Sequence, residues 1–93
     1  MQELMPQELT TRAERMRTAL TAAFSPSELE IVDESHLHHG HAGSSPSGET
    51  HYAVRIRAPS FAGLSRVARH RLVNDALKPE FDRGLHALAL KAD

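Results

Sequence analysis

The clearest constraint on the fold is an alternating stretch in the second half of the chain, Glu49–Ala58. Its sequence, ETHYAVRIRA, places aromatic and β-branched side chains at the even positions from Tyr52 to Ile56, whereas Arg55 and Arg57 fall on the opposite side. Alternation of this kind predicts a strand with one face on the core and one face in water. We therefore expect a sheet that has one apolar face and one cationic face.

The stretch that follows, Phe61–Leu77, predicts an amphipathic helix entered through a tight loop at Pro59 and Gly63. An apolar ridge at helical spacing consists of Leu64, Ala68, Leu72 and Ala76, and it is widened by Val67, Val73 and Leu77. A polar ridge consists of Arg66, His70 and Asn74, with Arg69 and Arg71 beside it. This pattern predicts a helix with one face on the core. Its basic back is either simply solvated or meets an anionic partner.

The remaining elements complete an α-β-β-α-(short α)-β order. We predict a helix over Leu9–Phe24 (or one that starts at a Thr11/Glu14 capping box), a strand over Leu29–Ser35, a short turn over Pro79–Arg83 and a strand over Leu85–Leu90. The first two strands should form an antiparallel hairpin, and the helical crossover should make the second and third strands parallel. The expected fold is a single α+β domain over residues 1–93, with a three-stranded mixed sheet covered by helices on one face. Residues 1–8 are expected to be a ragged lead-in and residues 36–48 a His-rich loop.

Composition excludes several classes of function. The chain has 93 residues, a formal charge of −1 and no cysteine, so it can form no disulfide and provide no thiolate ligand. The charge is polarised, because residues 50–74 carry five arginines and no acid, whereas residues 28–34 carry four acids. The N-terminal sequence MQELMPQEL lacks the features of a secretory signal, and no apolar run reaches the length of a membrane span. We therefore expect a cytoplasmic protein that makes no use of a membrane.

Histidine is the unusual residue, with seven in the chain and four of them between His36 and His41. A tract of this kind is either a solvated loop or a generic weak metal site. No arrangement for nucleophilic or paired-carboxylate catalysis can be argued, since Asp33 and Glu34 are adjacent on a strand and point to opposite faces. We therefore expect a protein that is not an enzyme.

Several motifs in order resemble the BolA-like protein family. They are DESHLH from Asp33, GETHYAVRI from Gly48, FAGLSRVARHRLVNDAL from Phe61 and LHALAL from Leu85. The resemblance implies a fold similar to the type II KH domain. It also implies partnership with a monothiol glutaredoxin, either with a shared [2Fe–2S] cluster that glutathione helps to ligate or without one, in iron–sulfur trafficking or iron sensing. The chain alone would hold no cofactor, and would be a monomer or weak homodimer.

The resemblance also implies the cluster ligands. It places one ligand histidine at the start of the last strand, on His86, and one in the loop, best on His38. His41, then His39 and His36, are the less favoured loop candidates. Outside this set, strand alternation puts His51 on the water-facing side of its strand, where we interpret it as structural or interfacial.

The alternative is DNA binding by a transcriptional regulator, a role also attributed to the family. The basic face of helix 65–77 would supply the contacts, through Arg66, Arg69, His70 and Arg71. Against it, Gly63 has no second glycine at the spacing of the GXXG loop with which KH domains bind RNA.

Overall fold

The computed structural model describes residues 11–34 and 50–93, and its elements follow the predicted order. They are α1 (Arg12–Phe24), β1 (Glu28–Asp33), β2 (His51–Arg57), a 3₁₀ turn (Pro59–Phe61), α2 (Arg66–Ala76), α3 (Lys78–Asp82) and β3 (Ala87–Ala92). The predicted α+β class is confirmed. Strand boundaries differ from the predicted ones by one to two residues at each end, as expected where ladders fray.

The sheet is mixed and has the order β1-β2-β3. β1 pairs antiparallel with β2, and β2 pairs parallel with β3. The register aligns Ile31, Val54 and Leu90 in one row across the sheet, and these side chains pack in the core or against it. The adjacent row of Val32, Ala53 and Ala89 lies on the opposite face.

Helix α1 begins at a capping box and packs two side chains into the core. The Thr11 hydroxyl accepts a hydrogen bond from the Glu14 amide at 3.1 Å, and the Glu14 carboxylate accepts one from the Thr11 amide at 2.8 Å. The capping box at Thr11 and Glu14 is the alternative start that the sequence predicted. The other predicted start, Leu9, lies outside the described residues. Met16 and Leu20 are fully buried, as their spacing predicts.

The apolar ridge predicted for α2 is only partly correct. Val73 and Leu77 are fully buried, but Val67 is 59% exposed and Leu72 is 40% exposed. Ser65 caps the helix by accepting a hydrogen bond from the Ala68 amide. Successive side chains of the helix point about 100° apart. Only part of the predicted apolar ridge therefore faces the core, and Val67 and Leu72 lie outside that part.

The short helix α3 places one carboxylate among arginines, a cluster that no sequence pattern predicted. Glu80 is 5% exposed, and its carboxylate accepts hydrogen bonds from Arg12 Nε at 3.1 Å and from Arg15 Nε at 2.9 Å. Arg12 Nη2 also donates to the carbonyl of Arg83 at 2.8 Å. The cluster joins α1 to the segment before β3, two regions far apart in sequence.

Burial alone would raise the pKa of the Glu80 carboxyl. Hydrogen bonds from Arg15 and Arg12, together with their positive charges, outweigh this effect and lower the pKa below its usual value. The charged form of Glu80 is therefore the one that the folded protein stabilises.

Among the residues that the structure describes, none belongs to a helix long and apolar enough to cross a bilayer.

Candidate metal and partner site

The first candidate ligand, His86, lies immediately before β3 at one end of the sheet. Its backbone amide donates to the Thr50 carbonyl at 2.8 Å, and the amide of Ala87 donates to the same carbonyl at 3.1 Å. These two bonds fix the backbone of His86 beside the start of β2, while the residue itself is exposed. A residue that ligates a metal centre shared with a partner protein must be accessible to that partner, and His86 is accessible.

His51 lies next to His86, although the sequence offered no reason to connect them. The centroids of the two imidazole rings are 5.3 Å apart and their planes are tilted by 53°. His51 Nδ1 is 3.0 Å from the hydroxyl oxygen of Thr50, a hydrogen bond whose direction depends on the tautomer.

The expectation that His51 faces water is wrong, because the residue is only 7% exposed. Strand alternation does assign it to the side of β2 that carries Arg55, but its position at the end of the strand puts it among Thr50 and His86. The predicted parallel pairing puts His51 and His86 on neighbouring strands, but only the register of the structure, which aligns His51 with Ala87, makes them adjacent.

The segment that carries the loop histidines leaves and re-enters the described structure at this same corner. The amide of Glu34, the last residue described before it, donates to the His51 carbonyl at 2.8 Å. Thr50, the first residue described after it, accepts from His86. The loop candidates all lie outside the described residues: His36, His38, His39 and His41.

The described part of the chain can supply only part of a metal shell. Across residues 11–34 and 50–93, no three His, Asp or Glu side chains lie close enough to hold a metal ion together. The full sequence has no cysteine. Iron–sulfur clusters take thiolate ligands, and imidazole replaces two of the four in some centres. The donor set at this corner therefore fits a shared cluster only if a partner brings the sulfur.

The four residues predicted as a partner or nucleic-acid surface divide into two kinds. Arg69 is half-buried, and its guanidinium donates to the carbonyls of Ala92 and Leu64, so it joins α2 to the end of β3. Arg66 and Arg71 are exposed, and His70 is half-buried. Any anionic partner of α2 would therefore meet chiefly Arg66 and Arg71.

Comparison with known proteins matches this fold and these motifs to one family. The profile of the family described as BolA-like protein matches residues 20–93. The chain belongs to the BolA-like family. Among solved structures, the BolA domain of SufE1 from Arabidopsis thaliana superposes with a TM-score of 0.81 and 44% identity, covering 91% of this chain and 93% of that one.

Relatives of this BolA-like chain carry different names. An uncharacterized protein from the cobS 5' region of Sinorhizobium sp is 54% identical and covers 84% of this chain and 85% of the relative. Protein BOLA1, chloroplastic, of Arabidopsis thaliana is 45% identical over 88% of this chain, which spans only 52% of that protein. The DNA-binding transcriptional regulator BolA of Vibrio cholerae is 42% identical over 76% of this chain and 63% of its own length.

Proposed function

We propose that this BolA-like chain is a non-enzymatic adaptor that binds a monothiol glutaredoxin and co-ligates a bridging [2Fe–2S] cluster in iron–sulfur trafficking or iron sensing. The observation that carries the proposal is the exposed His86, held by backbone hydrogen bonds at the corner where the His-rich segment begins and ends. His86 and one loop histidine, His38 before His41 or His39, would hold the cluster from this side.

The partner's role follows from the absence of cysteine in this chain. A glutaredoxin cysteine and the thiol of a bound glutathione would supply the two sulfur ligands that the chain lacks. Bound in this way, the cluster would supply a redox-active and transferable iron–sulfur unit. The chain's own contribution is to present imidazole from a rigid strand end, with His51 supporting the ring of His86.

The test is anaerobic reconstitution of the heterodimer with this chain alone labelled with ¹⁵N-histidine. After reduction, pulsed electron paramagnetic resonance measures the coupling of the cluster to ¹⁵N. We expect a ¹⁵N coupling that His86→Ala removes in part, with a shifted visible spectrum. His70→Ala is the matched control, because His70 lies on α2, and it should leave the coupling unchanged. If the wild-type heterodimer holds a cluster with no ¹⁵N coupling, the proposal fails.

DNA binding by a transcriptional regulator is the second candidate. Its support is the name of the Vibrio cholerae relative, together with the exposed cations Arg66 and Arg71 on α2. If this function holds, Arg66→Glu with Arg71→Glu should abolish binding to duplex DNA and its dependence on salt, since phosphate contacts release counterions. His86→Ala should leave DNA binding intact. The two sets of substitutions therefore distinguish cluster ligation from DNA binding.

A further inference from the structure

The outer edge of β3 presents backbone groups that no strand within residues 11–34 and 50–93 uses. In the described part of the chain β3 is an edge strand: the Ala87 amide donates to the carbonyl of Thr50, just before β2, at 3.1 Å, and the Asp93 amide donates to the Ile56 carbonyl of β2 at 2.8 Å. Alternate residues of a parallel strand bond to the same neighbour. The residues between them, Leu88, Leu90 and Ala92, therefore direct their N–H and C=O groups away from the sheet.

A side chain marks where this edge ends. The carbonyl of Ala92 accepts a hydrogen bond from Arg69 Nε at 2.7 Å. This bond agrees with the outward direction of the Ala92 carbonyl, and it occupies the last outward carbonyl of β3. Within the described ranges, no residue hydrogen-bonds to the outward groups of Leu88 or Leu90. Two N–H and two C=O groups are thus left open, next to half-buried leucine side chains.

The charges beside this edge are mainly positive. An open cleft of about 340 Å³ lies between α2 and the end of β3, and Arg66, His70, Leu90 and Lys91 help to line it. Arg69 also lines the cleft, and Asp93 is the one acid there. Arg66 and Lys91 are both exposed and available to an incoming anion.

The opposite edge of the sheet, formed by β1, is acidic. β1 carries Glu28, Glu30 and Asp33, and Glu34 follows it directly. Charged side chains of this kind protect an edge strand from pairing with other chains. β3 (ALALKA) has a single charged residue, Lys91, and so carries less of this protection than β1.

We propose that the β3 edge binds an extended acidic peptide by strand addition, with main-chain hydrogen bonds to Leu88 and Leu90 and peptide carboxylates near Arg66 and Lys91. Strand addition takes its affinity from main-chain bonds and its specificity from alternate side chains. A peptide backbone matches the open N–H and C=O pairs, whereas DNA has no equivalent ladder. The proposal stands independently of the role of His86.

A second copy is the other peptide that could fit, since its acidic β1 edge complements the cations beside β3. Such pairing is head-to-tail and leaves a free edge at each end, so it would propagate into open chains. A short separate peptide can bind the same N–H and C=O groups of β3 without forming open chains.

The test uses capped seven-residue peptides in which glutamate alternates with valine. In one peptide all glutamate amides are N-methylated, and in another all valine amides. Because only every second amide of an added strand bonds to its neighbour, we expect one methylated peptide to bind at least about tenfold more weakly and the other to bind within about twofold of the parent. Equal binding of all three peptides, or no binding by the parent, would overturn the proposal.

Hydrogen exchange of the full chain supplies a second readout. At saturating peptide, the Leu88 and Leu90 amides should exchange at least about tenfold more slowly, whereas the Ala89 amide, already directed to β2, should change little. Arg66→Glu with Lys91→Glu should weaken binding about tenfold. Arg17→Glu with Arg57→Glu makes the same change of charge at exposed positions away from the cleft and should leave the affinity intact.

Other occupants would give distinct results. Sedimentation that shows self-association, together with no binding of the peptide, would overturn the proposal in favour of a second copy. Displacement of the peptide by duplex DNA, without protection of the Leu88 and Leu90 amides, would overturn it in favour of a nucleic-acid surface.

Discussion

The imidazole rings of His51 and His86 lie with their centroids 5.3 Å apart, one ring buried at the start of β2 and the other exposed just before β3. Because Thr50 also contacts both residues, the three form one small unit at the sheet corner. Because the two rings are in contact, the proposed ligand role of His86 and the proposed supporting role of His51 each need a variant of their own.

His51→Phe tests that separation in the reconstituted heterodimer. Phenylalanine keeps an aromatic ring beside His86 but removes the nitrogens, so we expect the ¹⁵N coupling of the cluster to persist with an altered size. His86→Ala should remove part of it outright. If His51→Phe removes as much coupling as His86→Ala, His51 is itself a ligand. Circular dichroism of both variants checks that the fold is intact.

Glu80→Gln should be strongly destabilising, since it removes the carboxylate charge that faces the nearly buried guanidinium groups of Arg12 and Arg15. We expect a loss of about 3 kcal/mol in the free energy of unfolding, measured by urea titration. Asp82→Asn is the matched control, because Asp82 pairs with Lys78 at the exposed surface and with no other described residue. It should cost less than about 0.5 kcal/mol. Similar losses for both variants would contradict the role assigned to the cluster.

The lowered pKa of Glu80 predicts a dependence of stability on pH. A carboxyl whose pKa is lower in the folded than in the unfolded protein binds protons more readily when unfolded, so its contribution is complete above the ordinary value of 4.5. That contribution disappears as the pH falls through the lowered folded pKa. We therefore expect the stability difference between the wild type and Glu80→Gln to shrink on acidification, as followed by urea titrations from neutral pH downward. A difference that stays constant would contradict the lowered pKa.

Thr11→Ala should remove the capping box of α1 and cost about 1 kcal/mol in the free energy of unfolding. Thr18→Ala serves as the control, because Thr18 is exposed within the same helix and alanine has the higher helix propensity there. It should be neutral or slightly stabilising. Thermal unfolding of both variants measures the comparison, and an equal effect would show that the box contributes nothing.

Local patterns determined most of the fold. The alternation in β2, the helical spacing around Val73 and Leu77, and the crossover between β2 and β3 are properties of neighbouring residues, and the structure confirms each of them. The BolA-like motifs likewise lie in continuous stretches, and the family comparison confirms their assignment. The predicted ligand role of His86 stays a prediction.

Tertiary structure decided the contacts between segments. The sequence by itself determined which elements form, and through the absence of cysteine it determined that any iron–sulfur cluster must take its sulfur ligands from elsewhere. Only the packed structure placed His51 against His86 and directed Arg69 to the carbonyl of Ala92. The physical reason is that periodicity fixes the face on which a side chain lies, whereas its partner depends on strand register and on how each helix rotates against the sheet.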